Sequence, residues 1–178
     1  NRVVGVDPSQ LYGSLLANGQ VFLINPNGIF FGPNSRVDTG SFVASTLDMA
    51  NEDFLSGNYR FALKEGVSPS YIVNKGSIKA GPEGFVVLLS PLVSNEGVIS
   101  ANVGQVVIGG APKAILNFDG EGLINFVIPD IQNEPGTVVM SKEHASDLIK
   151  SVVNTPGITK AAGLVEEGGI IKLVGAEG

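Results

Sequence analysis

Cysteine is absent from this chain, which excludes disulfides, thiol nucleophiles and cysteine-ligated metals. The absence leaves the compartment open. Cytosolic proteins can lack cysteine, but so can an exported chain that crosses an envelope unfolded, because a premature disulfide blocks passage. Histidine occurs once, at His144. Charged residues make up 16% of the chain against 43% hydrophobic ones, so disorder is not expected. The net charge is −6 and no long Lys/Arg cluster is present, which excludes nucleic acid as a partner, since phosphate binding needs a concentrated basic surface. An acidic chain gains nothing from an anionic bilayer. No apolar run approaches the ~18 residues of a membrane span, so membrane insertion is not expected. No signal-peptide pattern stands at Asn1, so any targeting segment is expected to be removed or to lie outside this stretch.

What the chain has in quantity is glycine, 24 residues in 178, spread as regular corners with no collagen-like period. Residues 19–36, GQVFLINPNGIFFGPNSR, show the style. An apolar run meets a turn of Asn25, Pro26, Asn27 and Gly28, and a second apolar run meets a turn at Gly32, Pro33 and Asn34. Pro26 presets the second position of a type I turn and Asn27 suits the third, while Gly28 can take the positive φ that re-aims the chain. Short β segments are expected at Arg2–Val6, Leu11–Leu16, Val21–Ile24, Ile29–Phe31, Arg36–Asp38 and Ser41–Thr46.

From residue 72 the chain repeats. Ile72–Ala80, IVNKGSIKA, returns 21 residues later as Val93–Ala101, VSNEGVISA, and Gly84–Leu89 returns 20 residues later as Gly104–Gly109. A weaker third copy lies at Glu121–Ile124, Gly19–Ile24 resembles the same Gly-Gln-Val element, and Asn154–Ile158 with Gly169–Val174 read as a degenerate last pass. Short β runs with Asn/Gly corners at this period are a solenoid signature, and the Leu-x-x-Leu-x-Leu pattern of leucine-rich repeats is missing. The expected fold is therefore all-β, a parallel β-helix. About eight coils at ~4.8 Å would give a rod of roughly 40 Å.

Two segments depart from the repeat. Residues 47–61 carry Phe54, Leu55, Tyr59 and Phe61 around Ser56, Gly57 and Asn58, which reads as an extra-helical β-hairpin packed on the outside of the rod. Residues 141–154 have Ser141 as N-cap, an apolar face of Ala145, Leu148, Ile149, Val152 and Val153, and Pro156 and Gly157 as a stop, which predicts one short surface helix. His144 near its start reads as an incidental surface imidazole.

A β-helix also suits polysaccharide-cleaving enzymes, which need clustered carboxylates. Here Asp119, Glu121, Asp130, Glu134, Glu166 and Glu167 are dispersed, and no Asp-x-Asp, His-Glu-x-x-His, Gly-x-Ser-x-Gly or phosphate loop occurs. A carbohydrate-active β-helix enzyme and a glycan-binding surface module stay as alternatives to a non-enzymatic role. Neither catalytic residues, a metal nor a cofactor is expected.

The order and spacing of Asn1–Val4, Asp7–Ser9, the Asn-Pro-Asn-Gly of residues 25–28, Val-Ala-Ser-Thr at 43–46 and Asn-Glu-Asp-Phe-Leu at 51–55 resemble the secretion domain of two-partner-secretion exoproteins, the filamentous haemagglutinin-type haemagglutination-activity domain. Residues 85–111 are similar too. The resemblance implies a right-handed parallel β-helix with extra-helical β elements, at the front of a large secreted bacterial adhesin- or haemagglutinin-like protein. It further implies that residues 1–178 form a single secretion domain, N-terminally truncated relative to the family, and that an outer-membrane β-barrel transporter recognises it through its periplasmic domains. The localisation so implied is secreted or cell-surface, after transit of the periplasm. Host-cell or surface glycans are then candidate ligands of the full-length protein. Asn25, Pro26, Asn27 and Gly28 are the expected secretion-motif residues. A second family motif, Asn-Pro-Asn-Leu, is absent, and Ser90, Pro91 and Leu92 stand in its place.

Overall fold

A computed structural model describes residues 1–102, 104–110, 113–118, 124–127, 153–154, 158–160, 163–167 and 170–174. The chain winds through three parallel sheets, one strand per sheet in each coil. Coil 1 contains β1 (Ser9–Leu11), β2 (Ser14–Leu16) and β3 (Gln20–Ile24), and coil 2 contains β4 (Ile29–Phe31), β5 (Arg36–Thr39) and β6 (Ser41–Ser45). An excursion follows, with α1 (Asn51–Leu55) and β7 (Tyr59–Ala62). Coil 3 is β8 (Tyr71–Asn74), β9 (Ser77–Ala80) and β10 (Phe85–Ser90), and coil 4 is β11 (Leu92–Asn95), β12 (Val98–Ala101) and β13 (Gln105–Gly110). A second excursion contributes β14 (Lys113–Phe118) and β15 (Ile124–Val127) before β16 (Val153–Asn154) and β17 (Ile158–Lys160) resume the first two sheets. The expected all-β parallel β-helix is what the chain forms.

The repeat read from the sequence is the pairing register. Asn95 sits opposite Asn74, Ile99 opposite Ile78 and Ala101 opposite Ala80, and β10 pairs β13 from Phe85↔Gln105 onward. The Gly-Gln-Val likeness of residues 19–24 also places them correctly, since β3 joins the sheet that holds β6, β10 and β13. Stacking puts Ile29, Ile72 and Val93 in one inward column and Val37, Ile78 and Ile99 in another. A column of like aliphatic side chains fills a core whose cross-section repeats from coil to coil.

The third sheet is buried on both faces. Phe42, Ala44, Val86, Leu88 and Val106 point into the rod, while Val43, Val87, Leu89 and Val107 point outward under Leu47, Met49, Phe61, Ala114 and Leu116 of the two excursions. That explains the unbroken apolar runs SFVAS and FVVLLS, which a one-sided sheet would have alternated with polar residues. The excursions themselves meet in an antiparallel sheet of order β15-β14-β7, with Tyr59↔Leu116 and Ala62↔Lys113.

Several expectations need correction. Leu11–Leu16 is not one strand but two, on different sheets, because the chain turns at Tyr12–Gly13. Arg2–Val6 gives only a parallel bridge, Arg2↔Ile24. The first arm of the expected hairpin at 47–61 is the helix α1, whose first turn carries Glu52 and Asp53, the charges a helix start favours. Gly57, at φ 75°, ends it. β19 (Ile170–Val174) joins the third sheet antiparallel to β13 and is paired with β18 (Gly163–Glu167), so it is not a further parallel pass. The described residues complete four coils and begin a fifth, fewer than eight, because the excursions use chain that would have made rungs. Of the helix expected at 141–154, residues 141–152, with His144, lie outside the described residues, and Val153 and Asn154 form β16 instead of its last turn; of the copy at Glu121–Ile124 only Ile124, in β15, is described.

Candidate functional site

Three corners separate the sheets, and two are closed by stacked small residues. Gly13, Ser35, Gly76 and Gly97 line up between the first and second sheets, just before the paired positions Ser14, Arg36, Ser77 and Val98. Gly19, Gly40, Gly84 and Gly104 line up between the second and third. A Cβ on Gly84 would lie 1.9 Å from the Gly40 carbonyl oxygen, and one on Gly97 would lie 2.1 Å from that of Gly76. Backbone therefore lies directly on backbone there, a spacing only glycine permits.

The third corner, from the third sheet back to the first, holds the expected motif. Asn25 to Gly28 form the tight turn anticipated, closed by the Gly28 N–H on the Asn25 carbonyl at 3.1 Å. Asn27 keeps a negative φ, as the third position of a type I turn requires, and Gly28 has φ 121°. Asn25 is fully buried yet saturated. Its Nδ2 donates to the Asp7 carbonyl at 3.0 Å and to Ser9 Oγ at 2.9 Å, and its Oδ1 accepts from the Asn27 N–H and Nδ2. Asn27 Nδ2 also donates to the Gly5 carbonyl. One turn thus holds residues 5–9, the lead into β1 and its first residue, at a burial that an unpartnered amide would make costly by about 1–3 kcal/mol.

The corner is linked to later coils. Ser70 donates to the Pro26 carbonyl at 2.7 Å, Ser90 donates to the Ser70 carbonyl at 3.0 Å, and the Ser90 and Thr46 hydroxyls share a 2.6 Å hydrogen bond. Ser90-Pro91 stands at this same corner two coils beyond Asn25-Pro26. Sequence reasoning named the four turn residues, quoted Ser9, Thr46 and Ser90 only within a strand or the family resemblance, and missed Ser70; none of the four has a role at this corner until the coils are stacked. Among the described residues no three His, Asp or Glu side chains are grouped to hold a metal. No helix there is long and apolar enough to cross a membrane.

The profile of the TPS secretion domain family, TPS standing for two-partner secretion, matches residues 1–178. The chain belongs to this family. The crystal structure of the HMW1 secretion domain from Haemophilus influenzae superposes with a TM-score of 0.66 at 42% identity, covering 72% of this chain and 34% of that one. A curated Heme/hemopexin-binding protein of Haemophilus influenzae strain Rd is 32% identical over 168 residues, which are 90% of this chain and 16% of that protein. A second Heme/hemopexin-binding protein of Haemophilus influenzae is 36% identical over 75 residues, 38% of this chain and 8% of that protein. The chain thus spans a small part of the curated relatives it matches. A TPS secretion domain is a non-enzymatic targeting domain of an exoprotein that crosses the outer membrane through a partner transporter, which recognises it. The carbohydrate-active enzyme is set aside on this ground.

Proposed function

We propose that residues 1–178 act as one domain, the export address of a large adhesin- or haemagglutinin-like exoprotein. The transporter's periplasmic domains engage it as extended chain, and at the cell surface it seeds a β-helix that later chain extends. The observation that supports this reading is the saturated burial of Asn25. Apart from the Ser70 hydroxyl on the Pro26 carbonyl, the hydrogen-bond partners of the Asn25–Gly28 turn lie within residues 5–45, the Ser45 carbonyl accepting from the Asn25 N–H, so the first two coils can close on themselves as soon as they are free. In this role Asn25, Pro26, Asn27 and Gly28 set the first corner from which stacking proceeds.

The test is secretion of the complete exoprotein through its transporter with Asn25→Ala and Asn27→Ala combined. Secretion should fall while the amount made inside the cell holds. Unchanged secretion would remove the motif from the export role. For the activity of the whole exoprotein, the two curated relatives named for heme and hemopexin favour a second reading, capture of haem or a haem carrier. Titrating the full exoprotein with haem and with surface glycans separates that reading from adhesion, and saturable haem binding without glycan binding decides for the second.

A further inference from the structure

The two excursions, β7 after coil 2 and β14 after coil 4, build one sheet between them. Their pairing, Tyr59↔Leu116 through Ala62↔Lys113, joins residues 51 to 57 positions apart and encloses all of coils 3 and 4, whereas paired residues are 20 to 22 apart between coils 1 and 2 and between coils 3 and 4, and 41 to 44 apart between coils 2 and 3. We infer that this extra-helical sheet is a latch that closes after coils 1–4 have stacked: β7 becomes fixed only when β14 arrives.

The physical grounds are three. Closing a longer loop carries the larger entropic penalty, so the contacts among coils 1–4 form ahead of those between β7 and β14. Before β14 is in place, β7 has for backbone support within the first excursion only the bridge Asp48↔Ala62. The outward face of the third sheet, with Val43, Val87, Leu89 and Val107, is likewise completed only by Ala114 and Leu116 of the second excursion. A chain that has delivered coils 1–3 but not residue 116 therefore holds a stack whose outward apolar face is covered only in part, by Leu47, Met49 and Phe61, and which returns to extended chain more readily than the finished domain. The latch makes the fold hard to reverse once about two thirds of the domain has arrived. The device rests on the export reading for its use, since only a chain threaded through a transporter gains from delayed locking.

The experiment is refolding and unfolding of the complete 178-residue chain, which leaves the secretion assay to judge the export reading separately. Leu116 is fully buried, so Leu116→Ala should speed unfolding by roughly 30-fold or more while leaving the refolding rate within about twofold. Ile78→Val, inside the rod between Val37 and Ile99, should instead slow refolding. Pulsed hydrogen exchange should show β6 and β10 protected before β7 and β14. If Leu116→Ala does not fold, Phe61→Leu on the facing strand is read the same way. Refolding slowed in proportion to lost stability, or β7 and β14 protected first, overturns the latch.

Discussion

Asn74 donates its side-chain amide to Asn95 Oδ1 at 2.7 Å, inside the rod, and the two residues are 21 positions apart. Asn74 Oδ1 also accepts the Gly76 N–H that begins the next corner. The pair turns a sequence period into a hydrogen bond between successive coils. Burial of both side chains makes that bond count, because water cannot replace it.

Asn74→Ala removes the coil-to-coil bond and takes from the buried Gly76 N–H its side-chain acceptor. The expected loss is about 1–3 kcal/mol in urea unfolding of the purified domain. A change under about 0.5 kcal/mol would show that water reaches this corner.

The stacked glycines set a contrast between two substitutions of the same kind. Gly84→Ala drives a methyl group against the Gly40 carbonyl, which is backbone and cannot rotate away, so a loss of about 1–3 kcal/mol or failure to fold is expected. Gly13→Ala, at the open end of the other stack, meets no atom within 4 Å and should stay within about 0.5 kcal/mol of the parent. Equal thermal midpoints for the two variants would contradict the close approach.

Glu83 has φ 58° in the turn closed by the Gly84 N–H on the Gly81 carbonyl, and it is the non-glycine residue with positive φ among those described. Glycine removes a left-handed penalty of about 1–2 kcal/mol and adds about 0.4–1 kcal/mol of unfolded-chain freedom, so Glu83→Gly should stabilise the domain by at most about 1 kcal/mol and not lower its midpoint. Calorimetry of the variant checks it, and a lowered midpoint would mean the side chain has a role that outweighs its strain.

On the solvent side of β5, Arg36 hydrogen-bonds Asp38 at 2.6 Å and, with burial opposing and Lys79 assisting, holds its carboxyl below the ordinary 3.8. The folded state therefore binds that proton less readily than the unfolded one. The contribution to stability is complete above the unfolded value and is lost as pH falls through the lower folded one. In an NMR titration, Arg36→Ala should bring the Asp38 midpoint up toward its ordinary value, and an unmoved midpoint would assign the shift to Lys79.

The coils were legible where two successive copies kept the same corner residues, as in IVNKGSIKA and VSNEGVISA, because a repeated Asn and Gly at fixed spacing leaves one register. The turn at Asn25–Gly28 was legible because proline and glycine restrict φ directly. Leu11–Leu16 misled because its apolar ends, Leu11 and Leu15–Leu16, stand on either side of a corner of only two residues between strands of three residues each. The β7–β14 sheet left no local signal, since its partners are far apart and neither carries a repeat. The clamp on Asn25 was also hidden, as the Gly5 and Asp7 carbonyls that accept its hydrogen bonds and those of Asn27 belong to the backbone and have no residue type to read.

The three corners differ in what length of chain they accept. Two are closed by backbone stacked on backbone, while the one that holds Asn25 spans a single residue, Pro91, in coil 3 and the whole of residues 46–70 in coil 2. Insertions and deletions between related chains should therefore gather at that corner, and it is the place to splice a tag or epitope without disturbing the rungs on either side.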